Sequence, residues 1–505
     1  MLNNLVRSYI KRFDKEVKNI KMSSPNIQLD QLEAIKSSRY VRHFFPACRE
    51  SSFKDHSTFV NAFQITRYKD YGSLVKELLD RTTSLKPPYY AQSSGTSGVR
   101  KILPISEGFV RTNLLRGTWY VLNTLYDRNP QMRVFNAKNL LIGGAIYQKS
   151  NNYIVGDVSG IMLSRIPWYM RSNYVPSVNI ATLPDWQNKI ERTALAASKT
   201  KDVAMLGGTP TWVLSVLRLV LDYTGKKKIS QLWPNLQCYI HGGVHFAPYK
   251  SQFDELIDIK SFNYVEVYNA TEGFFAYQDD PLEDGMLLMT GNGIYYEFMP
   301  LNDYQSGQYH SVPLIDVEIG KSYVIVISTI MGLIRYEIGD VVEFTSKNPF
   351  RLKVIGRTSE FINAFGEDLV LDHVIAALEV VNKKHKCSIS NFTVAPNYIS
   401  IDKKGRHDWY VEFNSLPESI EQYAKDLDWA IQTENLNYKQ KRIENLAITS
   451  LNLTVLNKGF YQEYLKSKNR LGGQSKIQKL RNDRKLADEI DMYLVSQPNL
   501  TSNSA

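Results

Sequence analysis

At 505 residues and 58.0 kDa, the chain is too long for one ordinary domain, so two or more domains are expected. Hydrophobic residues make up 43% and charged residues 22%, as in globular proteins, and no run approaches the ~18–20 apolar residues of a membrane span. The net charge is +10, with +4 in residues 1–22, +7 in residues 458–485 and −1 in the rest of the chain. This terminal clustering is unlike a nucleic-acid-binding surface with interleaved aromatic residues.

The N-terminal segment and the cysteines bear on location. The first twenty residues place an apolar stripe at helical spacing opposite a basic face: Leu2, Leu5, Val6, Tyr9, Ile10, Phe13, Val17 and Ile20. A membrane-surface helix is one interpretation, but packing on the main body is favoured, since interior stripes are commoner. No secretory signal is recognised. Cys48, Cys238 and Cys387 are widely separated, which argues against disulfides or structural zinc and for buried, reduced thiols. We therefore expect a cytoplasmic protein without stable membrane association.

Between residues 90 and 355, strand-like runs alternate with helical segments. The predicted strands are Lys138–Ala145, Val203–Leu206, Cys238–His241, Tyr264–Tyr268, Ser322–Thr329 and Gly332–Thr345, and the predicted helices are Thr211–Tyr223 and Tyr249–Ile257. Such alternation predicts an α/β fold with mostly parallel sheets and flanking β structure. After residue 356 the pattern changes to α+β, with helices at Leu371–Lys383 and Ile420–Glu434 and a hairpin around Val394–Phe413. We therefore predict a large domain at 1–356 and a small one at 357–505.

A Ser/Gly-rich stretch lies near the start of this region, in the order Ser93, Ser94, Gly95, Thr96, Ser97, Gly98, Val99, Arg100, Lys101. Glycines let backbone N–H groups converge, and the hydroxyls and cations suit phosphate oxygens. The spacing fits neither a Walker loop nor a dinucleotide fingerprint. A flexible linker is the alternative, but the apolar run that follows is unlike one, so the composition indicates a nucleotide phosphate loop.

Three further motifs lie at or within predicted strands. Thr271 and Glu272 belong to the stretch Tyr268–Gly273, which follows a predicted strand, and there a hydroxyl can donate to phosphate and a carboxylate can hold Mg²⁺. Gly242 and Gly243 end another strand and leave bare backbone for a planar base. In isolation, the Thr-Glu pair is more typical of a turn.

The third motif is Arg335–Asp340, in which an aspartate follows a glycine. Asp340 can accept hydrogen bonds from both hydroxyls of a ribose. Taken alone, Gly-Asp is more typical of a hairpin turn. The ribose role of Asp340 therefore depends on the presence of the other motifs in the same chain.

In this order and spacing, the motifs resemble the Gretchen Hagen family of acyl acid–amido synthetases, in its bacterial type, within the adenylate-forming superfamily. The resemblance runs from about Ser93 to Asn482. Its anchors are Ser93–Gly98, Tyr268–Gly273, Gly332–Val342, Ile355–Arg357, the helical pattern Asn435, Tyr438 and Arg442, and the closing segments Gly459–Phe460 and Leu471–Lys476. Two departures occur: Glu337 stands where the family usually has arginine, and Val99–Lys101 differs from the loop continuation of the plant members.

The resemblance implies ATP and Mg²⁺ as cofactors, with a carboxylic acid and an amino acid or other amine as partners. It implies that Ser93–Gly98 and Tyr268 bind the nucleotide, Gly242 and Gly243 flank adenine, Asp340 and Arg357 fix the ribose, and Lys476 neutralises the α-phosphate. Thr271 and Glu272 act in catalysis, and Glu272 holds the metal. The activity is then adenylation of the acid followed by amide formation, with a mobile C-terminal lid domain. An acyl-CoA ligase and a catalytically silent nucleotide-binding module stay open as alternatives.

Overall fold

The fold is given by a computed structural model. It describes residues 7–22, 26–46, 55–80, 83–93, 101–243, 246–260, 262–358, 361–362, 364–365, 367, 369–398, 404–435, 438–439, 442, 448–468, 477–481 and 483–496. These residues form two compact units, with described residues up to Val354 in the larger unit and those from Ile355 onwards in the smaller one. Among the described helices, none is both long and apolar enough to cross a membrane.

The larger unit is built on two sheets. In chain order its strands are β1 (Tyr89–Ser93), β2 (Lys101–Ile105), β3 (Lys138–Ile142), β4 (Ile146–Lys149), β5 (Ile154–Gly156), β6 (Tyr174–Val175), β7 (Val203–Gly208), β8 (Cys238–Gly242), β9 (Asn263–Ala270), β10 (Gly273–Tyr277), β11 (Met286–Leu288), β12 (Ile294–Pro300), β13 (Val312–Pro313), β14 (Ser322–Thr329), β15 (Tyr336–Lys347) and β16 (Phe350–Arg357), the last of which continues into the smaller unit. A four-stranded sheet has the order β2-β1-β5-β4, and a 12-stranded sheet has the order β13-β12-β14-β15-β16-β11-β10-β9-β8-β7-β3-β6.

Parallel pairing is confined to one end of the 12-stranded sheet. There, β6, β3, β7, β8 and β9 all run in the same direction. From β9 onwards the pairing is antiparallel, through β10 and β11 to β16, and again where β12 pairs with β13 and β14. The predicted α/β class with flanking β structure is confirmed. The 12-stranded sheet therefore has five parallel strands at one end, and antiparallel strands extend it from β9.

Helices cover the sheets of the larger unit. They are α1 (Asp14–Lys21), α2 (Asn26–Ser37), α3 (Arg39–Phe44), α4 (His56–Ala62), α5 (Gly72–Leu79), α6 (Glu107–Phe109), α7 (Leu115–Arg128), α8 (Val158–Ser164), α9 (Val178–Ala181), α10 (Trp186–Ser198), α11 (Pro210–Thr224), α12 (Ala247–Ile257) and α13 (Leu301–Gln305). Helix α11 begins with Pro210, whose ring fits the first turn, and ends at Gly225, which adopts a left-handed conformation with φ +64°. Its apolar face, with Val213 and Leu217, joins a buried cluster that includes Trp233.

The apolar stripe of the N-terminal segment packs against the core of the larger unit. Residues 7–10 are helical, and a short 3₁₀ turn leads into α1, so that Ile10, Val17 and Ile20 are buried in the main core. The expectation that this helix packs on the body is confirmed for its described part, whereas Leu2, Leu5 and Val6 of the stripe lie outside the described residues. Trp119 stacks on Phe13 from this segment, with ring centres 6.3 Å apart. Trp119 is therefore part of the packing between this segment and the core.

The smaller unit is an α+β arrangement. Its strands are β17 (Phe361–Ile362), β18 (Leu369–Val370), β19 (Ser388–Asn397), β20 (Arg406–Ser415) and β21 (Asn452–Leu456), and its helices are α14 (Leu371–Lys384), α15 (Ile420–Glu434), α16 (Phe460–Ser467) and α17 (Lys485–Ser496). Strand β20 is the centre of a three-stranded sheet, antiparallel to β19 and parallel to β21. The predicted helices agree with α14 and α15, and the predicted hairpin with β19 and β20.

The two cysteines that the structure describes are free thiols, as expected. Cys238 lies in β8, and burial raises its pKa to about 12. Cys387 follows α14, and burial raises its pKa to about 11. Both thiols are therefore held in their unreactive protonated form at neutral pH. Cys48 lies outside the described residues.

Candidate nucleotide site

The carboxyl ends of the parallel strands form the edge where open α/β sheets bind ligands. Three neighbouring strands end there in paired glycines: Gly143–Gly144 after β3, Gly207–Gly208 at the end of β7, and Gly242–Gly243 at the end of β8. The fourth loop along the edge is the turn Thr271–Glu272 after β9. Sequence analysis found the last two loops and missed the first two, although the same signal, a glycine pair after a buried strand, was present.

Close backbone packing explains Gly242. A Cβ atom at this position would lie 2.3 Å from the carbonyl oxygen of Val267 on β9, so any side chain would clash with the backbone. Gly243 has φ +84°, a left-handed conformation that favours glycine. The two residues therefore leave bare backbone at the end of β8.

A buried lysine supports the neighbouring loop. Lys189 on α10 is 1% exposed, and its Nζ donates to the carbonyl oxygens of Gly143 and Gly144, each at 3.1 Å. Burial lowers the pKa of Lys189 to about 8, while the charge of Asp157 acts in the opposite direction. This lysine holds the β3 loop in place from behind the site.

The turn Thr271–Glu272 connects β9 to β10 and is largely closed to solvent. Thr271 is 8% exposed and Glu272 is 6% exposed. Burial and, after it, the negative charge of Glu272 raise the pKa of Tyr336 on β15. Tyr336 therefore stays protonated beside the carboxylate.

Tyr268 and Asp340, two of the predicted site residues, meet directly. The Tyr268 hydroxyl on β9 donates to Oδ2 of Asp340 on β15 at 2.6 Å, and both residues are 7% exposed. Gly339 precedes the aspartate with φ +88°, which only glycine adopts readily. Residues 72 positions apart in the sequence are thus joined into one polar group at the sheet edge.

Glu337, the departure from the family pattern, has a structural partner. Its Oε2 accepts from Nε of Arg67 at 2.7 Å, and its Oε1 accepts from the Tyr304 hydroxyl at 2.8 Å. Nearby, Arg335 is buried against Glu297, with Nε 3.0 Å from Oε1. The acidic residue at position 337 therefore completes an ion pair within the larger unit.

The remaining predicted site residues divide into those outside the described residues and two that the structure describes. Ser94, Gly95, Thr96, Ser97, Gly98 and Lys476 lie outside the described residues. Ser93 is the last residue of β1, with its backbone described, and Arg357 is the last residue of β16, half-buried and within the smaller unit. Within the described ranges, no three His, Cys, Asp or Glu side chains lie close enough together to hold a metal ion.

The helical pattern in the smaller unit forms a buried network. Asp428 on α15 accepts hydrogen bonds from the Tyr438 hydroxyl at 2.7 Å and from Nη2 of Arg442 at 2.7 Å. Asn435 accepts from the backbone N–H of Tyr438 at 2.7 Å through its Oδ1. These residues stabilise the smaller unit.

Comparison with known proteins identifies the family. The GH3 family N-terminal domain matches residues 9–209, the central domain matches 287–357, and the C-terminal domain matches 372–485, so that the three together cover most of the chain. The chain belongs to the GH3 family. This is the Gretchen Hagen family that the motifs resembled, so that prediction is confirmed.

Similar proteins include plant GH3 enzymes. This GH3 chain is 25% identical over 258 residues to indole-3-acetic acid-amido synthetase GH3.4 of Arabidopsis thaliana, covering 47% of this chain and 42% of that protein. It is 26% identical over 285 residues to probable indole-3-acetic acid-amido synthetase GH3.12 of Oryza sativa subsp. japonica, covering 48% and 45%. The matches thus span less than half the length of these curated relatives.

Solved structures share the fold. GH3.15 acyl acid amido synthetase superposes with a TM-score of 0.73 at 18% identity, covering 96% of this GH3 chain and 95% of that one. A 2-hydroxyisobutyryl-CoA ligase superposes with a TM-score of 0.57 at 13% identity, covering 92% of both chains. At these identities the likeness shows that the three chains share a fold.

Proposed function

We propose that this GH3 chain uses ATP to activate a carboxylic acid and transfers the acyl group to an amine, in the first place an amino acid. A carboxylate oxygen bonds to the α-phosphorus of ATP as the bond to pyrophosphate breaks. The amine nitrogen then bonds to the carbonyl carbon, AMP leaves, and the amine loses a proton. The carrying observation is the buried Tyr268–Asp340 pair at the carboxyl edge of the parallel strands, beside the Thr271–Glu272 turn.

The geometry of this edge supports the proposed nucleotide roles. Asp340 is the residue for the ribose, because a carboxylate can accept hydrogen bonds from both hydroxyls and Tyr268 helps to hold it in place. Gly242 and Gly243 offer bare backbone for adenine. The Ser93–Gly98 loop, Arg357 and Lys476 are proposed from the family resemblance, with the loop on the phosphates, Arg357 on the ribose and Lys476 on the α-phosphate.

Glu272 fits Mg²⁺ bound together with ATP. Mg²⁺ in nucleotide sites takes one or two protein carboxylates and completes its coordination with phosphate oxygens and water. A single buried carboxylate at the end of β9 meets that requirement. When bound, the ion would neutralise phosphate charge, and the proposed role of Thr271 is to donate a hydrogen bond to an α-phosphate oxygen. Glu272 keeps the ion in position through a fixed turn.

The domain roles are also proposed. Residues 1–356 bind the nucleotide and the acid, and residues 357–505 form a lid that moves between the two half-reactions. The buried thiols support a reducing compartment such as the cytoplasm. The ion pair of Glu337 with Arg67 gives its departure a structural reason, which weakens the case for a catalytically silent module.

A pyrophosphate-release screen tests this function. The protein is incubated with ATP, Mg²⁺ and each acid of a carboxylic-acid panel, with and without mixed amino acids. Pyrophosphate release is measured, and the products are identified by mass spectrometry. We expect acid-dependent pyrophosphate and an amide product, with Asp340→Ala raising the ATP concentration required. A thioester formed with added coenzyme A, and no amide, would instead identify an acyl-CoA ligase. Release that does not depend on any acid would reject adenylation of carboxylic acids.

A further inference from the structure

A π-helical turn interrupts the helical stretch that crosses the beginning of β10. Between α6 and α7, residues Val110–Leu114 form this turn, and Asn113 within it is fully buried. Single π-helical turns are rare and frequently occur at functional sites. A buried polar side chain in such a turn needs a partner, and its partners reveal what the turn is for.

The side-chain amide of Asn113 binds the backbone of β10 through both its oxygen and its nitrogen. Its Oδ1 accepts from the Phe274 N–H at 2.7 Å, and its Nδ2 donates to the Phe274 carbonyl at 3.1 Å and to the Asn292 carbonyl at 3.3 Å. Asn292 adds a second donor to the Phe274 carbonyl at 2.9 Å. The side-chain amide of Asn113 thus satisfies both backbone groups of Phe274, as a neighbouring strand would.

The helix fixes the same residue a second time. A Cβ atom at Gly117 on α7 would lie 2.6 Å from Cγ of Phe274, so the helix backbone rests directly on the Phe274 ring. The residue before it is equally confined, because a Cβ atom at Gly273 would lie 3.0 Å from Cδ1 of Ile294 and 3.3 Å from Oδ1 of Asn113. The start of β10 is therefore fixed from the helix and from β12.

We propose that Asn113 is a positioning residue for Glu272, an inference that rests on the proposed function. Phe274 is two residues after Glu272, and Gly273 between them has no side chain to brace the turn. Asn113 holds the Phe274 peptide and so fixes where the Glu272 carboxylate lies, without itself touching nucleotide or metal. Loss of this clamp loosens the carboxylate and weakens metal binding in the ATP complex.

The test measures metal binding directly. Mn²⁺ is titrated into the full chain with a non-hydrolysable ATP analogue, and the bound ion is followed by electron paramagnetic resonance. Outer residues that orient a metal ligand typically contribute 10–100-fold to metal affinity, so we expect Asn113→Ala to weaken Mn²⁺ binding about tenfold. Asn113→Asp keeps the acceptor for the Phe274 N–H and loses the donor, and is expected to weaken binding as well, which provides a second variant if the alanine protein does not fold.

Asn123→Ala is the matched control. Asn123 is a buried asparagine on α7, but its Nδ2 donates to Oδ1 of Asp14 at 2.5 Å, within the N-terminal segment. We expect this variant to lose stability and to keep Mn²⁺ affinity within twofold. Unchanged Mn²⁺ affinity in folded Asn113 variants, or an equal loss in Asn123→Ala, would overturn the role of Asn113. Failure of the wild-type chain to bind the ATP analogue would instead reject the proposed function.

Discussion

Replacing Tyr268 with phenylalanine removes the hydroxyl that donates to Asp340 and leaves the ring in place. A hydrogen bond to a charged group contributes about 1.5–3 kcal/mol, and both partners here are buried, so the free energy of unfolding should fall by about 2 kcal/mol. Asp340 also loses the contact that fixes its rotamer. Ordering one side chain on binding costs about 0.5–1.5 kcal/mol. Because about 1.4 kcal/mol corresponds to a tenfold change in affinity, we expect ATP to bind about twofold to tenfold more weakly.

The assay is calorimetric titration with a non-hydrolysable ATP analogue, beside urea unfolding of the same samples. Tyr120→Phe is the control, because the Tyr120 hydroxyl on α7 also donates to a carboxylate, Oε2 of Glu16, at 2.7 Å. That pair lies against the N-terminal segment, so its loss should lower stability by a similar amount and leave ATP affinity unchanged. Equal ATP affinity in wild-type and folded Tyr268→Phe protein would refute the positioning of Asp340 by Tyr268.

Three other predictions concern the ion pair, the buried lysine and the catalytic lysine. Glu337→Arg, which restores the usual family residue, places two cations together and should lower the free energy of unfolding by about 2 kcal/mol in urea titrations, while the double exchange with Arg67→Glu recovers part of that loss. Because the pKa of Lys189 is lowered from 10.5 to about 8, the folded state binds fewer protons than the unfolded state between these values. Wild-type stability relative to Lys189→Met should therefore rise by about 2 kcal/mol from pH 7 to pH 10, and a flat difference would contradict this. Lys476→Ala should impair acyl-adenylate formation far more than amide formation from supplied adenylate, and equal losses in the two assays would remove its assigned role.

Local patterns predicted the elements of the parallel core well, because buried strands followed by glycines have a strong sequence signal. The strand predicted at Cys238–His241 is observed as β8, and the helix predicted at Thr211–Tyr223 is observed as α11. The antiparallel extension of the sheet was less visible. Strands such as β10 and β11 are short, and their pairing depends on contacts far along the chain.

The candidate site was predictable in its motifs and not in its contacts. The motifs around Tyr268 and Asp340 were found, but no local pattern indicated that the two side chains meet across 72 positions. Asn113 was missed for the same reason, since a single asparagine in a helical stretch carries no signal until its partner is known. Glu337 was recognised as unusual, and its explanation required Arg67, which lies 270 positions away.

The central claim is that a carboxylate oxygen attacks the α-phosphorus of ATP, and isotope transfer tests it most directly. An accepted acid labelled with ¹⁸O in both carboxylate oxygens is converted to amide with ATP, Mg²⁺ and the amine, and the AMP is examined by mass spectrometry. We predict that AMP gains one ¹⁸O atom, because the oxygen that bonds to phosphorus leaves with it. Label in inorganic phosphate, with ADP as the nucleotide product, would contradict the account.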